Sequence, residues 1–182
     1  MLVEVYKILN SPVSVIVIGW LGIYLFFVFF VFIYRFLSLK SWIEKEEESL
    51  NTLLINFHLS PSSSLNSCIK RTDNINSFTF DACIFAAKKK ASSGLTFLSI
   101  VASTAPFIGL FGTVVGILNA FSSMQKITTI NMIAPAIADA LIATAVGILV
   151  AIPAYSFHQI LAKKVEDLIA TLNMQKDFYL SK

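Results

Sequence analysis

The run Val13–Tyr34, VSVIVIGWLGIYLFFVFFVFIY, decides the class of fold because it contains no charged residue over 22 positions. A helix of that length, rising about 1.5 Å per residue, spans about 33 Å and so crosses the roughly 30 Å hydrocarbon core of a bilayer. The run ends in Tyr34-Arg35-Phe36, an aromatic and basic anchor, rather than in a small-residue cleavage site. We therefore predict an uncleaved transmembrane helix over residues 13–34.

The composition of the whole chain agrees with a membrane protein. Hydrophobic residues make up 56% of the 182 residues and charged residues only 14%, whereas soluble domains carry about 25% charged residues. The net charge of +3 is small and scattered, so we expect no nucleic-acid partner. The glycines near 109–116 are not followed by a phosphate-loop lysine, and His58 and His158 have no ligand-spaced companions. We expect no enzyme activity, no metal and no cofactor other than transported protons.

Two further apolar stretches follow a polar segment at residues 35–94. Residues 91–125 carry no formal charge, Lys126 marks a hairpin tip, and the chain is then apolar to Lys163 except for Asp139. We predict an all-α integral membrane protein of three transmembrane helices, the second and third of which extend into the cytoplasm. The predicted segments after the first span are a cytoplasmic helical segment (35–94), the second span (95–125), a hairpin (126–132), the third span (133–157) and a C-terminal helix (158–182).

The polar segment is predicted to form two helices around a linker. Lys40–Glu48 resembles a solvated helix with charge pairs four residues apart. The linker lies at Ser60–Ser64. A second helix from about Asn76 to Lys90 offers residues that could pack against the first: Phe78, Cys83, Ile84, Phe85 and Ala86.

The distribution of basic residues predicts the orientation. Segment 1–12 and the hairpin carry one basic residue each, whereas segment 35–94 carries eight and the tail from Lys163 carries four. The positive-inside rule then places the N-terminus and the hairpin in the periplasm and the other two segments in the cytoplasm. Cys68 and Cys83 would lie in a reducing compartment and remain thiols.

Small residues recur four apart in the second and third spans. Gly112 and Gly116 form a GxxxG pattern, and Ala105/Gly109 and Ala143/Gly147 repeat the spacing. Such residues let helix backbones approach closely in lipid, so we predict helix-packing roles for Gly109, Gly112, Gly116 and Gly147; for any one of them, ordinary packing is sufficient explanation. Kinks or helix boundaries are predicted at Pro106, Pro135 and Pro153.

Three polar residues that lie among the small residues of these spans are candidate site residues. Counted from Ile127 in the hairpin, Thr113 and Thr144 lie at about 21 and 25 Å, close to the same depth. Each hydroxyl either bonds to the carbonyl four residues earlier or contributes to a polar level across the bundle. Asp139, at about 18 Å from the tip and about 140° around the helix from Thr144, is either a solvated interfacial carboxylate or a carboxylate of an ion pathway or subunit interface.

The sequence resembles the ExbB, TolQ and MotA group of proton-channel stator subunits. The resemblance is carried by Thr104–Ile117 (TAPFIGLFGTVVGI), Ile133–Gly147 (IAPAIADALIATAVG) and Ala151–Ala154 (AIPA). Three spans favour the ExbB/TolQ branch, since the MotA branch has four, and residues 129–135 slightly favour TolQ. By this resemblance the two pore threonines map onto Thr113 and Thr144, and a third-span acidic position, usually Glu, maps onto Asp139.

The resemblance also implies a function and partners. It implies a homopentameric bundle around two copies of a single-span ExbD/TolR-like subunit, in the bacterial inner membrane and in contact with its lipids. Proton flow would then drive work on the cell envelope, through a TonB/TolA-like protein, in TonB-type import or Tol-Pal-type outer-membrane maintenance. The alternative function is a passive membrane scaffold or a small-solute transporter subunit.

Overall fold

The computed structural model describes residues 12–56, 60–61, 63–70, 76–124 and 133–181. Helices are the only regular secondary structure in these residues, as the sequence predicts. They are α1 (Pro12–Asn56), α2 (Ser64–Ile69), α3 (Ser77–Ala91), α4 (Leu95–Met124) and α5 (Ile133–Leu180). The predicted hairpin at 126–132 lies outside the described residues.

Three of the helices are long and apolar enough to cross a membrane. The qualifying stretches are Val15–Ile55 in α1, Leu95–Ser122 in α4 and Ile137–Leu180 in α5. Helix α1 continues from the predicted first span into the polar segment, and α5 joins the predicted third span to the predicted C-terminal helix without a break. The chain is therefore a multi-pass helical membrane protein.

The described chain divides into two compact units. The first, here called the apolar unit, contains the described residues up to Phe30 and Phe97–Phe157; the second, the polar unit, contains Val31–Thr96 and the described residues from His158 onward. All three helices of the apolar unit expose large apolar side chains: Phe26 is 68% exposed, Phe107 69% and Leu149 63%. Such a surface requires lipid or other apolar helices around it.

The buried stripe of α5 changes its residue type between the two units. In the apolar unit the stripe consists mainly of small residues, among them Ala140, Ala143 and Ala154. In the polar unit it consists mainly of larger ones, Leu161, Val165, Leu168 and Leu172. In lipid no hydrophobic effect drives helices together, so close packing of small residues is what stabilises them. In water the burial of a leucine contributes about 1.5–3 kcal/mol. The two parts of the stripe thus have the residue types expected for packing in lipid and in water.

The polar unit contains a disulfide that corrects the prediction of free thiols. Cys68 of α2 and Cys83 of α3 are bonded, with their Cα atoms 6.0 Å apart. The positive-inside argument concerns the compartment and carries no information on distance, whereas the packing of α2 against α3 sets the two Cβ atoms within bridging reach.

Helix α3 buries one face and exposes the other. Phe80, Cys83, Ile84, Ala87 and Ala91 are buried. Phe78 and Phe85 are 81% and 70% exposed, so the prediction that they pack against the first helix is wrong. Each lies two positions from a buried residue, Phe80 or Cys83. Two positions turn a helix by about 200°, which places the side chain on the opposite face. Beside the buried face, the carboxylate of Asp81 accepts a hydrogen bond from Lys176 of α5 at 3.0 Å, which raises the pKa of that ammonium group above its usual value.

Candidate functional site

Helices α4 and α5 come into backbone contact in the apolar unit. A Cβ atom added at Gly109 would lie 2.7 Å from the carbonyl oxygen of Ala143, and one added at Gly147 would lie 2.6 Å from that of Ala105. Real Cβ atoms essentially never come within 3.0 Å of another heavy atom. Since the obstructing atoms are backbone atoms, only glycine fits at these two positions without moving a helix.

The other two glycines of the pattern lie along the same contact. A Cβ atom at Gly116 would lie 2.8 Å from the Cβ atom of Ala140. One at Gly112 would lie 3.0 Å from the Cβ atom of Ala143 and 3.1 Å from Cγ1 of Val17 in α1. All three spans therefore meet at Gly112, and the four glycines selected from the sequence lie at helix–helix contacts within one chain.

The threonines of the second and third spans hydrogen-bond to each other across this contact. Thr113, which is only 8% exposed, pairs its hydroxyl with that of Thr144. The Thr113 hydroxyl also lies 3.3 Å from the carbonyl oxygen of Gly109 and 3.2 Å from that of Ala140. The local bond to the carbonyl four residues earlier and the polar contact between helices, posed as alternatives by the sequence, occur together at Thr113.

The two threonine hydroxyls have hydrogen-bonding capacity beyond the bond that joins them. A hydroxyl has one proton to donate and two lone pairs that accept. When the Thr113 proton is directed to the Gly109 or Ala140 carbonyl, the Thr144 hydroxyl donates to Thr113 and keeps its own lone pairs. Thr144 is half-buried, so an approaching group can reach those lone pairs. The pair is thus a polar acceptor site, suited to a protonated carboxyl group, between two apolar helices.

Asp139 lies beside the helix contact rather than in it. Its side chain is half-buried, and the next residue, Ala140, packs against Gly116. At 100° per residue, Asp139 and Thr144 lie about 140° apart, on opposite flanks of the packed face of α5. Among the described residues Asp139 has no hydrogen bond or ion pair, and no three metal-ligating side chains form a cluster there. The structure therefore brings the threonines together and leaves Asp139 separate.

The three prolines occupy two kinds of position. Pro106 and Pro153 lie inside α4 and α5, where each removes the hydrogen bond to the carbonyl four residues earlier. Pro135 lies in the first turn of α5, where its missing N–H would have no helical partner in any case. The predicted kinks remain predictions.

A buried carboxylate in the polar unit went unpredicted. Glu46, predicted as part of a solvated helix, is 1% exposed, and that prediction is wrong for this residue. Its carboxylate accepts hydrogen bonds from the backbone N–H of Ser64 at 2.8 Å and from the indole of Trp42 at 3.2 Å. The side-chain amide of Gln175 donates to its backbone carbonyl at 2.9 Å and to its carboxylate at 3.2 Å. Glu46 thereby ties α1 to α2 and to α5.

These features define a class: a multi-pass helical membrane protein with a hydroxyl pair inside the contact of two spans. The MotA/TolQ/ExbB proton channel family matches residues 70–174, a range that includes both threonines and Asp139. The chain belongs to this family, which confirms the family inferred from the sequence motifs.

Relatives of two names match the chain. The biopolymer transport protein ExbB-like 1 of Helicobacter pylori is 42% identical over 175 residues, which cover 93% of this chain and 92% of that protein. ExbB of Salmonella typhimurium is 36% identical over 132 residues, 69% of this chain and 53% of that one. TolQ of Pseudomonas aeruginosa is 44% identical over 84 residues, 45% of this chain and 36% of that one. Both names occur at similar identity, so the matches do not favour TolQ over ExbB.

Proposed function

We propose that this chain is the stator subunit of an inner-membrane motor driven by the proton-motive force. In this proposal five copies surround a single-span ExbD/TolR-like partner, present in two copies. Proton flow at the interface drives motion that a TonB/TolA-like protein transmits to the cell envelope, in TonB-type import or Tol-Pal-type outer-membrane maintenance. Membership of the proton channel family supports the energy-transducing role.

The observation that carries the proposal is the hydrogen-bonded pair of Thr113 and Thr144 at the glycine contact. Hydroxyl groups in lipid are expensive unless they are satisfied, and a pair with free acceptor capacity at one level offers a place where a protonated carboxyl group is stabilised. Ordinary packing of glycines requires no such pair.

The carboxyl group that carries the proton is expected to belong to a second chain. The predicted spans contain one ionisable carboxyl group, Asp139, and it lies on the opposite flank of α5 from Thr144. A proton carrier facing the threonines therefore has to come from another subunit. The exposed apolar surfaces of the apolar unit are compatible with further chains packed around it.

The proposal is tested by reconstitution with and without the partner. The chain is co-expressed with a single-span ExbD/TolR-like protein, purified, examined by native mass spectrometry and placed in liposomes that enclose a pH-sensitive dye. We expect a five-to-two complex that conducts protons down an imposed pH gradient, while the chain alone stays at background. A complex that forms but does not conduct, or a chain that never binds the partner, would favour a passive scaffold.

A further inference from the structure

The polar unit contains a cationic cavity at the end of the first span. Its volume is about 390 Å³, and its lining consists of Arg35, Lys45, Lys90, Trp42 and three serines. Sites for small ligands have volumes of about 300–1,000 Å³. None of the seven lining residues is acidic. The cavity thus has the size of a ligand site and a positive lining.

Carboxylates do not neutralise the three cations of the cavity. Arg35 donates hydrogen bonds to the backbone carbonyls of Lys90, at 3.0 Å, and of Ala91. The Lys90 ammonium group lies 5.4 Å from the centre of the Trp42 ring. Among the described residues, the lysines that form ion pairs do not line the cavity; they are Lys40, Lys163 and Lys176. The positive charge of the cavity is therefore available to an anion.

Two polar atoms at the cavity lack a partner. In the described part of the chain, three buried side-chain atoms have no hydrogen-bond partner, and two of them, Arg35 Nε and Ser64 Oγ, belong to residues that line the cavity. Buried polar groups in proteins are nearly always satisfied, so each exception calls for an explanation, and a bound ion is one. Both atoms carry a proton of the kind that an anion oxygen accepts.

We propose that this cavity binds the phosphate group of an anionic phospholipid. The position in the chain favours a lipid over a free phosphate ester: Arg35 directly follows Tyr34, the last residue of the predicted first span, and Lys90 precedes the start of α4 by five residues. The cavity therefore begins at the level of the lipid head groups. Basic residues at that level strengthen the binding of anionic lipids by about fivefold each.

The test compares two pairs of lysine substitutions in the full chain. Lys45→Gln with Lys90→Gln removes two cavity cations, and Lys40→Gln with Lys89→Gln removes two exposed neighbours that do not line the cavity. Arg35 is left intact because its bonds to the end of α3 support the fold. The detergent-solubilised proteins are titrated with phosphatidylglycerol and with phosphatidylcholine and examined by native mass spectrometry, and their thermal unfolding is recorded.

We expect the wild type to retain phosphatidylglycerol in preference to phosphatidylcholine. The cavity pair should bind phosphatidylglycerol about 25-fold more weakly, at about fivefold per lysine. The control pair should bind it like the wild type, and both pairs should unfold at the wild-type temperature. Equal weakening in both pairs would reduce the effect to general surface charge. Unchanged binding in the cavity pair, or glycerol 3-phosphate binding as tightly as the lipid, would overturn the proposal.

Discussion

The glycines of this chain differ in whether the structure leaves room for a methyl side chain. At Gly109 an added Cβ atom meets the backbone of α5, whereas at Gly22, in α1, nothing lies within 4 Å. Substitution by alanine therefore creates a steric clash at Gly109 and none at Gly22. The two alanine variants therefore separate the effect of the helix contact on stability from the effect of helix propensity.

Gly109→Ala should loosen the contact of α4 with α5. Overpacking of this kind costs about 1–3 kcal/mol, so we expect the detergent-solubilised protein to unfold at a lower temperature. Gly22→Ala should unfold at the wild-type temperature or slightly above, because alanine is the better helix former. Equal unfolding temperatures for the two variants would show that the close contact contributes little.

Asp139 is predicted to support proton flow without carrying the protons. Asp139→Asn should reduce the flux of the reconstituted complex without preventing its assembly, and Asp139→Glu, the usual residue of the family, should be largely tolerated. Asp167→Asn, which removes an exposed carboxylate from the polar part of the same helix, serves as the control. A wild-type flux for Asp139→Asn at acidic, neutral and mildly alkaline pH would make Asp139 a solvated interfacial residue.

Residues that follow a local rule could be predicted from the sequence, and those that depend on distant partners could not. The glycines follow a four-residue spacing, and Thr113 and Thr144 fall at similar depths when counted from Ile127 in the hairpin. Glu46 stands among exposed charged residues, and its partners Ser63 and Gln175 lie 17 and 129 positions away. No local pattern distinguishes it from Glu47 or Glu48.

At the scale of elements, the hydrogen bonds around Glu46 hold three helices of the polar unit together. Ser63, the N-cap residue of α2, donates its hydroxyl to Glu46 or to Gln175, each at 3.1 Å, and its oxygen accepts from the backbone N–H of Leu65. Helices α1, α2 and α5 thus share one hydrogen-bond network. Such a network stabilises strongly only when every member is satisfied.

Glu46→Gln tests this network with little change in shape. The glutamine amide nitrogen cannot accept a hydrogen bond, so one donor from Gln175, Ser63 or α2 is left buried and unpaired. We expect the free energy of unfolding to fall by about 1–3 kcal/mol, which is measured as a lower unfolding temperature. Glu47→Gln, at an exposed neighbouring position, should leave the temperature unchanged; a similar shift in both variants would contradict the assigned role.

The length of α1 illustrates the limit of element prediction. The predicted first span ends at residue 34, yet α1 continues to Asn56, whereas α5 continues beyond residue 157 as the sequence predicts. Entering water changes which residues stabilise a helix and does not require the helix to end. In α5 the buried residues are mainly small in the apolar unit and mainly leucine in the polar unit, as such a change of surroundings predicts.

At the scale of the whole molecule, orientation in the membrane is predicted from the eight-to-one asymmetry of basic residues across the first span. A cysteine is placed near the hairpin end of α4 (Ser122→Cys) or at the C-terminus (Ser181→Cys), in a background in which Cys68 and Cys83 are serine. An impermeant maleimide added to intact cells with a permeabilised outer membrane should label the first variant and reach the second only after lysis. The reverse order would invert the topology.

Protons are proposed to pass at the Thr113–Thr144 pair, and proton flux through the reconstituted complex tests this proposal most directly. Valine keeps the shape of threonine and removes the hydroxyl. Thr104→Val is the matched control, because Thr104 is a second-span threonine that donates only locally, to the carbonyl of Ile100. We predict that Thr113→Val and Thr144→Val assemble with the partner but conduct at the background of empty liposomes, while Thr104→Val conducts like the wild type. Wild-type flux in both pore variants would contradict the account.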